Sequence, residues 1–68
     1  MAGTYKKIEI VGTSTASFAE AAKSAVAEAS KTIRNMSWFE VVEQRGAIKD
    51  GKVLEFQVTL RIGFKLEK

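Results

Sequence analysis

The sequence predicts a small α+β domain with the element order strand, helix, strand, strand. Three observations lead to this class. Residues 5–11 are rich in β-branched and aromatic side chains that alternate with polar ones. A stripe of small apolar residues at helical spacing follows a capping sequence at Ser17. Further on, Asp50-Gly51 separates two strand-like runs, as in a tight hairpin. The 68 residues are predicted to form a single domain spanning 1–68.

The first strand is predicted from Tyr5 to Val11. Ile8 and Ile10 fall on one face of it, because side chains on a strand alternate between its two sides. The cluster Gly12-Thr13-Ser14-Thr15 has the composition of a turn and is predicted to end the strand.

The helix is predicted to begin after Ser17 and to run to about Asn35. Ser17 and Glu20 have the spacing of a capping box, in which the hydroxyl accepts from the backbone N–H of Glu20. The apolar stripe comprises Phe18, Ala22, Ala25, Val26, Ala29 and Ile33. Because alanine dominates it, the helix can approach a sheet closely but buries little area, which favours help from neighbouring chains.

The hairpin's second arm is the most regular segment of the chain. One face of it is predicted to carry only apolar residues, namely Leu54, Phe56, Val58, Leu60, Ile62, Phe64 and Leu66. The predicted strand is longer than the usual ~5–6 residues. A long strand of this kind leaves an exposed edge, so a second chain is expected to cover it.

The register of the hairpin decides which way its polar residues point. If Asp50 and Gly51 are the two loop residues, Gln44 faces Gln57, and Trp38 shares their face, away from the core. The same register turns Glu43 and Arg45 inward, an unfavourable position for charges that a bulge near Gly46 would relieve. The side chains of Phe39, Phe56 and Phe64 are predicted to lie in the core.

Composition excludes several classes of function. The chain has no cysteine and no histidine, which removes disulfides, thiolate or imidazole metal sites and the Ser-His-Asp triad. No apolar run is long enough to span a membrane, and no secretory signal is visible, so a cytoplasmic location is expected. The net charge of +3 is spread over the chain, which makes nucleic acid an unlikely partner.

Trp38 is the only tryptophan, and its placement on a polar sheet face permits two interpretations. A large flat indole in that position is either an interface anchor or a stacking platform for another flat ring. Gln57 on the same face offers an amide that can both donate and accept hydrogen bonds.

The chain as a whole resembles the dodecins, a family of small flavin-binding proteins. The resemblance includes the element order and covers essentially the full length. It is carried by the opening segment YKKIEIVGTS at 5–14, by WFEV at 38–41 with Glu43 and Arg45-Gly46 beyond it, and by EFQV at 55–58 with Gly63-Phe64.

This resemblance implies a three-stranded antiparallel sheet that partly wraps one helix, in chains that assemble into a hollow dodecameric cage. It also implies that pairs of flavins stack between Trp38 residues at two-fold contacts. Gln57 would then bind the isoalloxazine edge, and Arg45 would bind the phosphate of FMN. Riboflavin and FAD are the alternatives to FMN. The implied role is storage, buffering and photoprotective quenching of the flavin. We expect no enzymatic activity. The carboxylates Glu9, Glu28, Glu40, Glu43 and Asp50 could hold a hard cation on a symmetry axis, but we expect them to be solvated and name no metal ligand among them.

Two other classes of function stay open beside this one. A flavoenzyme would use the same residues but would need an open ring face for a second substrate. A structural, nucleic-acid-binding or coenzyme A-binding oligomer would use Trp38 only as an interface anchor. Some bacterial dodecins carry coenzyme A, for whose phosphates the candidate contacts are Lys6, Arg34 and Lys65.

Overall fold

The computed structural model of the protein describes residues 3–66, so the ends of the predicted domain, residues 1–2 and 67–68, lie outside the described part. The elements are β1 (Tyr5–Ser14), α1 (Phe18–Ala29), β2 (Met36–Lys49) and β3 (Lys52–Lys65). The strands form one antiparallel sheet in the order β1-β3-β2. The predicted class and element order are therefore confirmed. Within residues 3–66, no helix is both long and apolar enough to cross a bilayer.

β3 is the central strand, and its alternation generates the core. Val58, Leu60 and Ile62 project from one face and are almost completely buried. Each such aliphatic side chain contributes about 1.5–3 kcal/mol when fully buried. The helix covers this face with its alanines Ala21, Ala25 and Ala29. The long alternating strand is thus paired on both sides over most of its length, and the edges predicted for it belong instead to β1 and β2.

The helix begins where it was predicted to begin but ends earlier than predicted. Ser17 caps the helix as predicted, with its hydroxyl oxygen accepting from the backbone N–H of Glu20 at 3.0 Å. The regular helix ends at Ala29, about six residues before the predicted end, and the chain turns back toward the sheet through Asn35 at a positive φ of 64°. An asparagine tolerates this left-handed conformation better than most residues, which makes the early reversal possible.

Gly12 lies inside β1 and does not end the strand, which continues to Ser14. A methyl group at this position would overlap the carbonyl oxygen of Ala21 and lie 2.6 Å from the Cβ of Ala25. Gly12 therefore lets the helix backbone approach the sheet directly. The turn composition of residues 12–15 was a misleading signal, because this glycine is needed for close packing.

The hairpin turn is confirmed at Asp50-Gly51, with φ values of 53° and 75° that fit a two-residue turn of primed type. Three register shifts interrupt the pairing of β2 with β3, and the two β-bulges between Trp38 and the turn decide the faces of the residues between them. An extra residue on β3 at Leu54 shifts the pairing by one position, so that Arg45 faces Gln57 and Gln44 faces Val58. An extra residue on β2 at Val42 shifts it back.

The bulges correct three predicted side-chain directions. Arg45 and Glu43, predicted to point inward, lie on the face away from the helix, and Gln44, predicted to share the face of Trp38, lies on the helix side. Followed from the turn back along β2, the two shifts cancel before Trp38 is reached, so Trp38 keeps its predicted face.

Phe39 is not in the core of the single chain, contrary to prediction. Its direction toward the helix side is as predicted, since it pairs with Ile62. However, α1 lies over β1 and β3 and leaves the helix side of β2 uncovered. Phe39 is consequently 53% exposed and Val41 48% exposed. Phe56 and Phe64 are half-buried, and Phe56 meets Phe18 edge to face at 5.0 Å between ring centroids.

We predict that Gly12→Ala destabilises the fold by about 1–3 kcal/mol, the usual cost of forcing an extra carbon into a packed interior. Urea unfolding at a fixed protein concentration measures the effect. Gly3→Ala is the matched control, because its added methyl meets mainly the movable end of the Lys65 side chain. A Gly12→Ala variant as stable as this control would show that the helix does not need the close approach.

Candidate functional site

The face of the sheet opposite α1, here called the outer face, collects most of the polar residues predicted to matter. The register aligns it in four rows across β1, β3 and β2. From one end of the sheet to the other, these rows are Lys7-Gly63-Trp38, Glu9-Arg61-Glu40, Val11-Thr59-Glu43 and Thr13-Gln57-Arg45.

Trp38 lies flat at one end of the outer face. Its six-membered ring covers Gly63, where any Cβ would overlap the ring atoms. Tyr5 contacts it from the side, with 5.2 Å between ring centroids and a tilt of 52°. The side chain is 40% exposed, which fits one ring face seated on the sheet and the opposite face open. An open aromatic face of this kind suits stacking with another flat ring.

Glu40 accepts a hydrogen bond from the indole N–H of Trp38 and so fixes the orientation of the ring. The Nε1–H of Trp38 donates to Oε2 of Glu40 at 3.1 Å. Lys7 Nζ donates to both oxygens of the same carboxylate, at 3.1 and 3.0 Å. These hydrogen bonds, first that from Lys7 and then that from Trp38, hold the pKa of Glu40 below its ordinary value, and the nearby charges of Lys7 and Arg61 act in the same direction.

Arg45 and Gln57 form the second centre, at the other end of the outer face. They are direct partners across β2 and β3, and the Nε–H of Arg45 donates to Oε1 of Gln57 at 2.6 Å. The amide nitrogen of Gln57 in turn donates to Glu55 Oε1 at 3.1 Å. Glu43 approaches Nη1 of Arg45 at 3.9 Å, which is an ion pair in solvent and contributes little.

The orientation of the Gln57 amide follows from its two partners. Arg45 can only donate and an ionised Glu55 can only accept, so the amide oxygen must face the arginine and the nitrogen the glutamate. After these two bonds, the amide retains one N–H and one oxygen lone pair. A ligand edge that offers one acceptor and one donor can pair with both.

Trp38 and Gln57 share a face but are not neighbours on one chain. Trp38 lies at the level of Gly63, six residues along β3 from Gln57. At ~3.4 Å per residue this separation is about 20 Å. The structure therefore brings together two of the three predicted site residues, Arg45 and Gln57, and leaves the third at a distance.

Several residues around the predicted site were not singled out from the sequence. Gly63, Tyr5, Lys7 and Glu40 surround the indole, but only Gly63 had a visible signal. A glycine interrupting an otherwise regular alternation often marks a close approach. The other three are ordinary strand residues, whose meeting at Trp38 depends on the pairing of non-adjacent strands.

The residues considered for coenzyme A phosphates also lie together. Arg34 and Lys65 line a shallow surface groove with Asn35 and Phe64. Lys6 is the register partner of Phe64, at the edge of this groove. Among residues 3–66 of the single chain, no group of three or more acidic, histidine or cysteine side chains is placed to hold a metal ion.

The fold is thus a small α+β domain whose outer face carries an indole with one exposed ring face, Trp38, and a hydrogen-bonded pair of a guanidinium and an amide, Arg45 and Gln57. The sequence model of the family named Dodecin matches residues 4–67. A protein named dodecin from Thermus thermophilus is 48% identical over the whole of this chain and 99% of its own. The dodecin structure from Streptomyces coelicolor superposes with a TM-score of 0.94 at 47% identity, covering 97% of this chain and 94% of that one.

A more distant relative is named calcium dodecin, from Mycobacterium tuberculosis. It is 32% identical over 91% of this chain and 87% of its own length. The match to the family over nearly the full chain, together with these relatives, shows that the protein belongs to the dodecin family. The resemblance inferred from the sequence is confirmed at this level.

We predict that the contribution of Glu40 to stability depends on pH. Because its pKa is lowered in the folded state, the carboxylate stabilises the fold above its unfolded pKa, and this stabilisation is lost as pH falls through the folded pKa. The urea midpoints of the protein and of Glu40→Gln should therefore differ at neutral pH and converge in acid. Glu28→Gln, which removes a carboxylate on the exposed helix surface, is the control. A gap between wild type and Glu40→Gln that does not change with pH would contradict the expectation.

Proposed function

We propose that the protein binds a flavin, FMN in preference to riboflavin or FAD, through Trp38, Gln57 and Arg45. The observation that carries this proposal is the geometry of the Gln57 amide. Arg45 and Glu55 hold it with one donor and one acceptor free, on the same face as the half-exposed indole. The pyrimidine edge of an isoalloxazine presents the complementary acceptor and donor, and its flat ring system suits an indole face.

The site is completed by a second copy of the chain. About 20 Å separates Trp38 from Gln57 within one chain, too far for both to contact one ring system. Two copies placed antiparallel across a two-fold axis would bring Trp38 of each close to Gln57 and Arg45 of the other. Such an arrangement holds two flavins at the axis, each stacked on one indole and on the second flavin.

Exposed apolar surface on the helix side of the sheet supports self-association. Phe39 and Val41 lie uncovered on β2, and Ile48 is 75% exposed near the hairpin tip. The chain is also extended, with a radius of gyration of 14.1 Å against about 11 Å for a compact domain of this length. A homo-oligomer would bury these residues, and we propose the hollow dodecameric cage that the family resemblance implies.

In this arrangement the protein stores the flavin and does not use it for catalysis. A flavin between an indole and a second flavin has both ring faces covered, which leaves no face for a substrate. The outer face of residues 3–66 carries carboxylates, lysines and arginines that are mostly paired with each other. We propose buffering of free flavin and photoprotection, with Trp38 donating an electron to the excited ring and then recovering it.

We expect that titrating FMN with the ligand-free protein quenches its fluorescence almost completely, with a break near one flavin per chain. Trp38→Ala should weaken binding, since stacking contributes ~0.5–1.5 kcal/mol beyond buried area. Trp38→Phe should keep more of the affinity while leaving bound flavin more fluorescent, because phenylalanine is a poorer electron donor. A linear response without a break would refute FMN binding. Titration with coenzyme A and with RNA would then test the remaining ligand classes.

Arg45 is expected to determine the preference for a phosphorylated flavin. We predict that Arg45→Ala weakens FMN binding by about ten- to a hundredfold, the range for losing a hydrogen bond to a charged group. Riboflavin, which lacks the phosphate, should lose much less. Arg45→Lys should restore only part of the FMN affinity, because the planar fork is lost. An equal loss for both flavins would indicate that Arg45 acts only by orienting Gln57.

A further inference from the structure

The hydrogen bond from Trp38 to Glu40 connects a redox-capable ring to a charged group. The indole N–H donates to a carboxylate that is itself an ion-pair partner of Lys7, and all three side chains lie on the outer face. A hydrogen bond to an ionised acceptor is roughly twice as strong as one between neutral groups. Loss of an electron makes the indole N–H a stronger donor and places a positive charge beside the carboxylate. Both effects favour the oxidised ring.

We propose that Glu40 and Lys7 tune Trp38 as an electron donor in opposite directions. Glu40 makes oxidation of the indole easier by placing a negative charge at its N–H. Lys7 limits this effect by offsetting the charge of the same carboxylate. The pair thereby sets how fast Trp38 can quench an excited flavin, so this inference rests on the proposed function.

The electron-transfer step is balanced without any other reactant. With a flavin bound, Trp38 would donate one electron from its indole π system to the photoexcited ring system and would be left as a radical cation. No covalent bond breaks, and the indole hydrogen stays bonded between Nε1 and Glu40 Oε2. The same electron then returns to the indole, and the flavin recovers its ground state.

Glu40 and Lys7 are the charged groups with the strongest effect on the indole, because the other cation near Glu40 is paired elsewhere. Arg61 on β3 also faces Glu40, but its Nε–H donates to Glu9 on β1 at 3.0 Å, so that ion pair largely offsets its charge. Tyr5 contacts the indole with its ring and forms no ion pair with Glu40. Glu28 is a suitable control, since this carboxylate lies on the exposed helix surface, away from the outer face, and pairs with Lys31.

Three variants test the assignment: Glu40→Gln, Lys7→Met and, as the control, Glu28→Gln. Glutamine at position 40 keeps an oxygen that can accept from the indole but removes the charge. In the FMN complex, time-resolved absorption should show that quenching slows by up to about tenfold in Glu40→Gln, the difference between charged and neutral hydrogen-bond acceptors. Lys7→Met should quench at least as fast as wild type, and Glu28→Gln should match wild type.

A second measurement on the ligand-free protein separates this inference from the proposed function. Voltammetry of Trp38, in a Tyr5→Phe background to remove the nearby phenol, should show a higher oxidation potential for Glu40→Gln and a lower one for Lys7→Met. Opposite shifts support the assignment even if FMN does not bind. Shifts of the same sign in both variants would indicate simple loosening of the indole and would overturn it, as would no shift in Glu40→Gln.

Discussion

The central strand β3 is the constraint on which the structure depends. Its even-numbered residues from Val58 to Ile62 form the core against the alanines of α1, and its odd-numbered residues form the middle of the outer face. Because the strand has a period of two, every residue that completes the core also places a neighbour on the outer face. Because Gly12 has no side chain, the alanines of the helix can pack directly on this thin core.

The outer face has two centres with different chemistry, and the length of the sheet keeps them apart. At one end, Gly63 seats the indole of Trp38, and Glu40 and Lys7 hold its N–H. At the other end, a chain of hydrogen bonds from Arg45 through Gln57 sets the polarity of an amide. In the proposed function the two ends meet only across a two-fold axis. Association across the outer face would therefore complete the ligand site, whereas the bare helix side of β2 faces the other way and would need a separate contact.

Charges on the outer face contribute more to orientation than to stability. The ion pairs Lys7–Glu40 and Arg61–Glu9 are close, at 3.0 Å each, but their side chains remain about half exposed. Pairs in such surroundings contribute little to folding because water and salt screen them. Their directional effect is different, since the Glu40 carboxylate selects one orientation of the indole among those that Gly63 permits. Burial by a second copy would strengthen these electrostatic effects by lowering the local dielectric.

The sequence by itself determined the order of the elements, the helix cap and the hairpin turn, because each depends on local spacing or on a turn dipeptide. The face of Trp38 was also predicted correctly, but only because two register shifts cancel. The sequence also pointed to the dodecin family, which the comparisons confirm. Only the tertiary structure decided the direction of Arg45 and the exposure of Phe39. Two bulges of opposite effect reverse the face of residues 43–47 while leaving Trp38 unchanged, and no alternation pattern reveals a pair of shifts that cancel. The surroundings of the indole could not be predicted either. Lys7 lies on β1 and Glu40 on β2, and their ion pair reaches across the central strand β3, so it depends on the order of the strands.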